Sequence, residues 1–201
     1  MTTTSVTAPG AERMNMARIT PLQPPYETPA GEEVKQMFGE QTPYVLFTTM
    51  ASSERAWAKF RAGSLLDGRL LSLREREIII ERTCARTGCE WEWGVHVMVF
   101  AEKAGLSRQD VAETLRVPAD PSRWSASEAA LIRVVDALHE RSTLSDEEFA
   151  ELSAHYNSEQ ILEIIMLTGH YHTISYLAAG LALPLEDGAA RFADYEALVS
   201  S

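Results

Sequence analysis

From Gly31 onward the apolar residues recur at intervals of three and four, and no segment alternates apolar with polar as a half-buried strand would. That periodicity predicts an all-α chain. Helices are expected at about Gly31–Phe38, Pro43–Met50, Ser53–Leu66, Ser72–Arg86, Glu90–Ala104, Ser107–Leu115, Ser125–Arg141, Ser145–Ala154 and Ser158–Leu181. The punctuation agrees with the period. Ser107, Ser125 and Ser145 each precede an acid by three positions (Asp110, Glu128, Glu148), the spacing of a capping box. Gly105 and Gly188 suit helix termini, and Pro184 closes the long helix before it. Gly88 falls between two helical stretches, where it lets the backbone turn sharply and makes Cys89 the start of the next helix. Upstream, Thr20 to Pro29 is a proline-rich strap that cannot be helical throughout, and the opening dozen residues have the Thr/Ser-rich composition of a disordered segment. The expected organisation is a disordered or extended N-terminal strap over residues 1–30 and a single helical domain over residues 31–201.

The helix that begins after Gly88 carries the candidate chemistry. Offsets of three, four and seven return to one helical face, so Cys89, Glu92 and His96 share a stripe, with Glu77 one segment upstream. Helical side chains lean toward the N-terminus, which brings His96 back over Glu92 with Cβ atoms ~5–6 Å apart. Cys89 lies roughly 10 Å from His96 along the axis, too far for direct contact, so a proton passing between them needs a relay through Glu92, a water or Glu77. A helix N-terminus normally favours thiolate, but Glu90 and Glu92 oppose it here, and a mostly protonated resting thiol is expected. The plainer reading of Glu92 and His96 is an i, i+4 pair on a solvated face. For Glu77 it is a salt-bridge network among Arg74, Arg76, Glu81 and Arg82.

Composition narrows the classes. With 201 residues and 45% hydrophobic composition the chain can bury one substantial core. Its 29 acidic residues against 18 basic give a formal charge of −11, and the bases are scattered, which argues against nucleic acid as a partner. No apolar stretch approaches ~20 residues and no secretory signal opens the chain, so neither membrane nor export is expected. The two cysteines, Cys84 and Cys89, are poorly spaced for a structural disulfide, and a cytoplasmic location is expected. Cys84 reads as a small buried hydrophobe.

The order Glu77, eleven residues, Cys89, two residues, Glu92, three residues, His96 resembles the signature of the carboxymuconolactone decarboxylase and alkylhydroperoxidase D-like superfamily. The flanking strings are similar too: Leu73–Ile80 leading into Gly88–His96, Ala104–Ser107, and Gly169–Ser175, so the resemblance spans about Leu65 to Phe192. It implies an alkylhydroperoxidase D-like helical fold, a multi-helix orthogonal bundle that assembles as a homo-oligomer (dimer, trimer or hexamer), and a site built on Glu77, Cys89, position 92 and His96. One departure bears on mechanism. Peroxidase members carry a second cysteine where this chain has Glu92, and a peroxidase cycle needs a resolving thiol to discharge the sulfenic acid. Cys84, beyond Gly88, is a poor substitute.

What the resemblance leaves is acid–base chemistry without a cofactor on a small organic acid, lactone or carbonyl compound, with Glu92 and His96 moving the proton and Glu77 and Cys89 completing the catalytic set. A substrate carboxylate would want a cation, for which Arg74, Arg82 and Arg86 are the candidates. Trp93 and His170 are further candidates for contact with substrate, although tryptophans at helical spacing more often pack a core. His170 and His172 stand ~200° apart around a helix and cannot chelate one ion together, so no metal is expected. A thiol peroxidase using Cys89 and a non-catalytic oligomeric binding protein are the alternative readings.

Overall fold

The computed structural model describes residues 17–63 and 70–199. The expected disordered opening dozen and the last residues of the helix expected to run to Leu66 lie outside the described residues. Among those described, every regular element is a helix: α1 (Pro29–Phe38), α2 (Val45–Met50), α3 (Glu54–Ala62), α4 (Leu73–Thr87), α5 (Glu90–Phe100), α6 (Arg108–Leu115), α7 (Ala126–Arg141), α8 (Asp146–Ser153), α9 (Ser158–Gly180) and α10 (Ala193–Val199), with a single 3-10 turn at Pro121–Arg123. Each of the nine expected helices is present. Capping boxes form at Ser107/Asp110, Ser125/Glu128 and Ser145/Glu148, and also at Ser72/Glu75 and Asn157/Gln160.

Helix α4 is the axis of the molecule, packed against α5, α6, α7 and α9. Its Ile78, Ile79 and Ile80 are all fully buried, on consecutive faces, which an amphipathic surface helix would not tolerate. Burying each is worth about 1.5–3 kcal/mol relative to exposure. The helix ends at Gly88, whose φ of +69° is left-handed. The Cys89 amide donates to the Cys84 carbonyl at 2.8 Å and the Gly88 amide to Ala85 at 3.1 Å, the paired bonds of a Schellman turn. That turn sets α5 back along α4, so side chains of the two helices face each other. A smaller core of Ala30, Val34, Ala51 and Trp57 joins α1, α2 and α3.

The differences from expectation lie at the ends. Helix α1 begins at Pro29, because Thr28 caps it and proline is pre-organised for the first turn. Helix α5 stops at Phe100 rather than Ala104, where Gly105 (φ +66°) draws the chain into a turn and the Leu106 amide reaches back to Ala101. Helix α10 has no counterpart among the expected helices. Seven residues are too few to be stable alone. It is held by α6, where the Arg108 guanidinium sits 4.6 Å from the Tyr195 ring centre and donates to the Asp194 carbonyl at 2.7 Å.

The segment before α10 closes over α5 at Gly94, where the Ala190 amide donates to the Gly94 carbonyl at 3.2 Å. A Cβ on Gly94 would run into the Ala190 carbonyl oxygen, which is backbone and cannot swing away. Gly94→Ala should therefore lift this segment and cost about 1–3 kcal/mol in denaturant unfolding. A variant as stable as the parent would show that the contact is loose.

Candidate active site

Glu77 on α4 and Glu92 and His96 on α5 meet in the interior, all three buried. His96 is gripped from both sides. Its Nδ1 lies 2.7 Å from Glu77 Oε2, and its Nε2 lies 3.3 Å from Glu92 Oε1 and 3.2 Å from the Tyr171 hydroxyl. Burial alone would strip the proton from such an imidazole. The two carboxylates outweigh it, Glu77 most, and raise the His96 pKa to about 10. At neutral pH the ring is an imidazolium that donates from Nδ1 to Glu77 and from Nε2 toward Glu92 and Tyr171. Burial, reinforced by Glu92 and Glu77, holds the Tyr171 phenol well above its ordinary range, so it stays a neutral donor.

This cluster forms the polar end of a cavity of about 140 Å³ between α2, α3, α5 and α9. The remaining wall is aromatic and aliphatic: Tyr44, Leu46, Phe47, Phe60, Trp91, Val95, Val99, Phe100 and Ile174, with His170 beside them. His170 thus faces the cavity, and burial lowers its pKa, so it enters as a neutral ring.

Other candidates are placed elsewhere. Cys89 is buried and does not line the cavity; its thiol lies near Ser175, whose hydroxyl also approaches Cys84. Burial pushes the Cys89 pKa up, with the Glu92 charge adding to it and hydrogen bonds from the Glu92 backbone and Ser175 opposing. The three arginines proposed to hold a substrate carboxylate are corrected. Arg82 and Arg86 face α7, Arg74 is held between α6 and α7, and none of the three lines the cavity. Arg74 pairs with Glu128 and Asp110, Arg82 with Asp136, and Arg86 with Glu140 and Asp136. Trp93 is corrected as well: it is fully buried away from the cavity, packed on Phe192 and Tyr195 with its indole N–H on Thr114 Oγ1 at 3.1 Å. Trp91 lines the cavity instead.

Tyr171 is the site residue that sequence reasoning passed over. It lay within the Gly169–Ser175 string, next to His170, and a tyrosine at an otherwise apolar helical position was the available signal. Among the described residues, no group of three or more His, Cys, Asp or Glu side chains is placed to hold a metal ion.

Residues 51–136 match the carboxymuconolactone decarboxylase family, a span that contains Glu77, Cys89, Glu92 and His96. Over that span the chain is similar to the carboxymuconolactone decarboxylase/AhpD-like superfamily. Among solved structures, one similar protein is from Agrobacterium tumefaciens, of unknown function and proposed to be the antioxidant defence protein AhpD. It is 26% identical, with 67% of this chain and 94% of that one covered at a TM-score of 0.59. The debrominase Bmp8, as a Cys-to-Ala variant bound to 2,3,4-tribromopyrrole, shares the fold at 18% identity, 84% and 91% coverage and a TM-score of 0.67. So does an uncharacterized peroxidase-related protein from Silicibacter sp. TM1040, at 17% identity, 85% and 94% coverage and a TM-score of 0.67. No curated protein matches the chain in sequence. Among the described residues no helix is long and apolar enough to cross a membrane.

Proposed function

We propose that this chain is an enzyme of the carboxymuconolactone decarboxylase/AhpD-like superfamily that moves protons, without a cofactor, on a small uncharged carbonyl compound or lactone about the size of one ring. The observation that carries the reading is His96, held as an imidazolium between two carboxylates at the end of an apolar cavity. A cavity of about 150 Å³ accommodates a benzene-sized molecule. Among the described residues the wall has no free cation for a substrate carboxylate, so among organic acids, lactones and carbonyl compounds the uncharged ones fit best. Decarboxylation is correspondingly less favoured than isomerisation or cyclisation.

In this reading Glu92, at the cavity surface, takes a proton from carbon beside the carbonyl. The C–H electron pair moves into the enolate, and the Tyr171 hydroxyl and the His96 Nε2–H stabilise its oxygen. Glu92 then returns the proton to the same or another carbon, which closes the cycle with no net change in the protein. Glu77 keeps the imidazole oriented and charged.

The experiment does not depend on the natural substrate. Single-ring ketones, lactones, phenols and a halogenated pyrrole are incubated with the protein in D₂O, and loss of C–H signals is followed by proton NMR. Exchange above the buffer rate in at least one carbonyl compound is expected, and none across the panel would count against the proposal. A thiol peroxidase is the second reading, favoured by the fold shared with peroxidase-related proteins. Hydroperoxide consumption with a dithiol reductant, abolished in Cys89→Ser, would establish it instead.

A homo-oligomer is part of this proposal. Leu162, Met166 and Tyr176 project from α9 at heptad-like spacing, Met166 59% and Tyr176 70% exposed, which supports pairing between copies. Met166→Glu should lower the mass measured by light scattering, and a monomeric parent would end this part of the reading.

A further inference from the structure

His170 lines the cavity from α9 but takes no part in the chemistry above. Its half-buried ring stands nearly perpendicular to that of Tyr171, with centroids 5.6 Å apart, and lies tilted against that of Phe60 on α3 at 6.3 Å. Gly63, the cap of α3, is so close that a Cβ there would stand 3.6 Å from Nδ1. These neighbours hold the ring without satisfying it: among the described residues no hydrogen bond reaches either nitrogen. Beyond Glu92, His96 and Tyr171 the rest of the wall is apolar except for Tyr44 and Trp91, and Trp91 gives its N–H to the Pro184 carbonyl at 2.9 Å. Tyr44 is a phenol kept protonated by burial and by the charges of Glu186 and Glu92. A phenol oxygen accepts weakly. A neutral imidazole keeps a nitrogen lone pair, so outside the proton-moving cluster His170 is the strong acceptor on this wall, with a donor on its other nitrogen.

A plain one-ring ketone that fills this cavity leaves the His170 nitrogens without a partner. A ring that also bears a hydroxyl supplies one, and a polar contact of this kind separates ligands more sharply than an apolar wall does. We propose that His170 is the specificity-determining residue of the cavity and that the substrate class is a one-ring carbonyl compound or lactone bearing a hydroxyl, which donates to the imidazole while the carbonyl oxygen meets Tyr171 and His96. The carbonyl end rests on the proposed function above. The hydroxyl end rests on where His170 stands.

The test is a binding comparison on the full chain. Cyclohexanone and a set of hydroxycyclohexanones, with the hydroxyl at different positions around the ring, are titrated into ¹⁵N-labelled protein and followed by NMR. At least one hydroxylated ring should bind about 3–10-fold tighter than cyclohexanone, the worth of one neutral hydrogen bond, and should shift the His170 ring nitrogens where cyclohexanone does not. That preference should vanish in His170→Phe, return in part in His170→Gln, whose amide can accept and donate, and persist in Tyr44→Phe. A packing role for His170 would change both affinities alike and leave their ratio as it was. Absence of binding by every ring, equal affinities in the parent, or a preference that survives His170→Phe or is lost in Tyr44→Phe overturns the proposal. Its fate is separable from that of the function above: C–H exchange without a hydroxyl preference would sink this inference alone, and a His170-dependent preference without exchange would sink the other.

Discussion

His96→Ala should lower catalysed C–H exchange by about 10²–10⁴-fold, the contribution usual for a positioned acid–base group. The loss follows from geometry. Among the described residues only His96 links Glu77 in the interior to Glu92 and Tyr171 at the cavity, at distances of 2.7, 3.3 and 3.2 Å, and alanine leaves the neutral Tyr171 hydroxyl to stabilise the enolate oxygen without a positive charge beside it. Glu92→Gln should fall comparably, because an amide cannot take the proton. Retention of parent rates in both variants would remove the assignment.

His96 also predicts how stability changes with pH. A histidine whose pKa is raised on folding contributes stability that is complete below its unfolded value near 6.5 and disappears as pH climbs to about 10. Denaturant unfolding of the parent should therefore weaken from pH 7 to pH 10, and His96→Ala should flatten that slope. A parent whose stability is level across this window would mean that His96 is neutral in the folded protein.

Arg82→Ala should cost about 3–5 kcal/mol of stability, the usual result of removing one partner of a buried ion pair. Arg82 is fully buried and grips both Asp136 oxygens, at 2.8 and 2.7 Å, with a third nitrogen donating to the carbonyls of Thr114 and Arg116. It ties α4 to α7 and to the end of α6. Arg82→Lys should recover only part of the loss, because an ammonium lacks the planar fork that meets a carboxylate with two parallel bonds. The exchange chemistry of the folded fraction should be unaffected, since this guanidinium faces away from the cavity. Denaturant titration is the check, and a loss below about 1 kcal/mol would show that the pair is no better than a surface one.

Most of the fold was legible because its signals are local. Capping residues, the three-four period and Gly88 act within a turn or two of themselves, and the expected helices formed where those signals stood. The pairing of Glu92 with His96 was legible for the same reason, as an i, i+4 contact on one helix. The arginines show the limit. Spacing shows that Arg74, Arg82 and Arg86 can share a face, yet nothing local tells whether that face looks at a cavity or at Asp136 and Glu128 on α7. Trp93 failed likewise, since either side of α5 is apolar and only packing against Phe192 and Tyr195 decided which side it took.

By itself the sequence determined the helices, their caps and the stripe that holds Glu92 and His96, because helix geometry is set by neighbours at fixed offsets. Tertiary structure alone decided that Glu77 closes on His96 from another helix, that Tyr171 reaches it from α9, and that Glu81 lies sealed behind them. Those contacts join residues 19 and 75 positions apart, and burial rather than local spacing makes them chemistry.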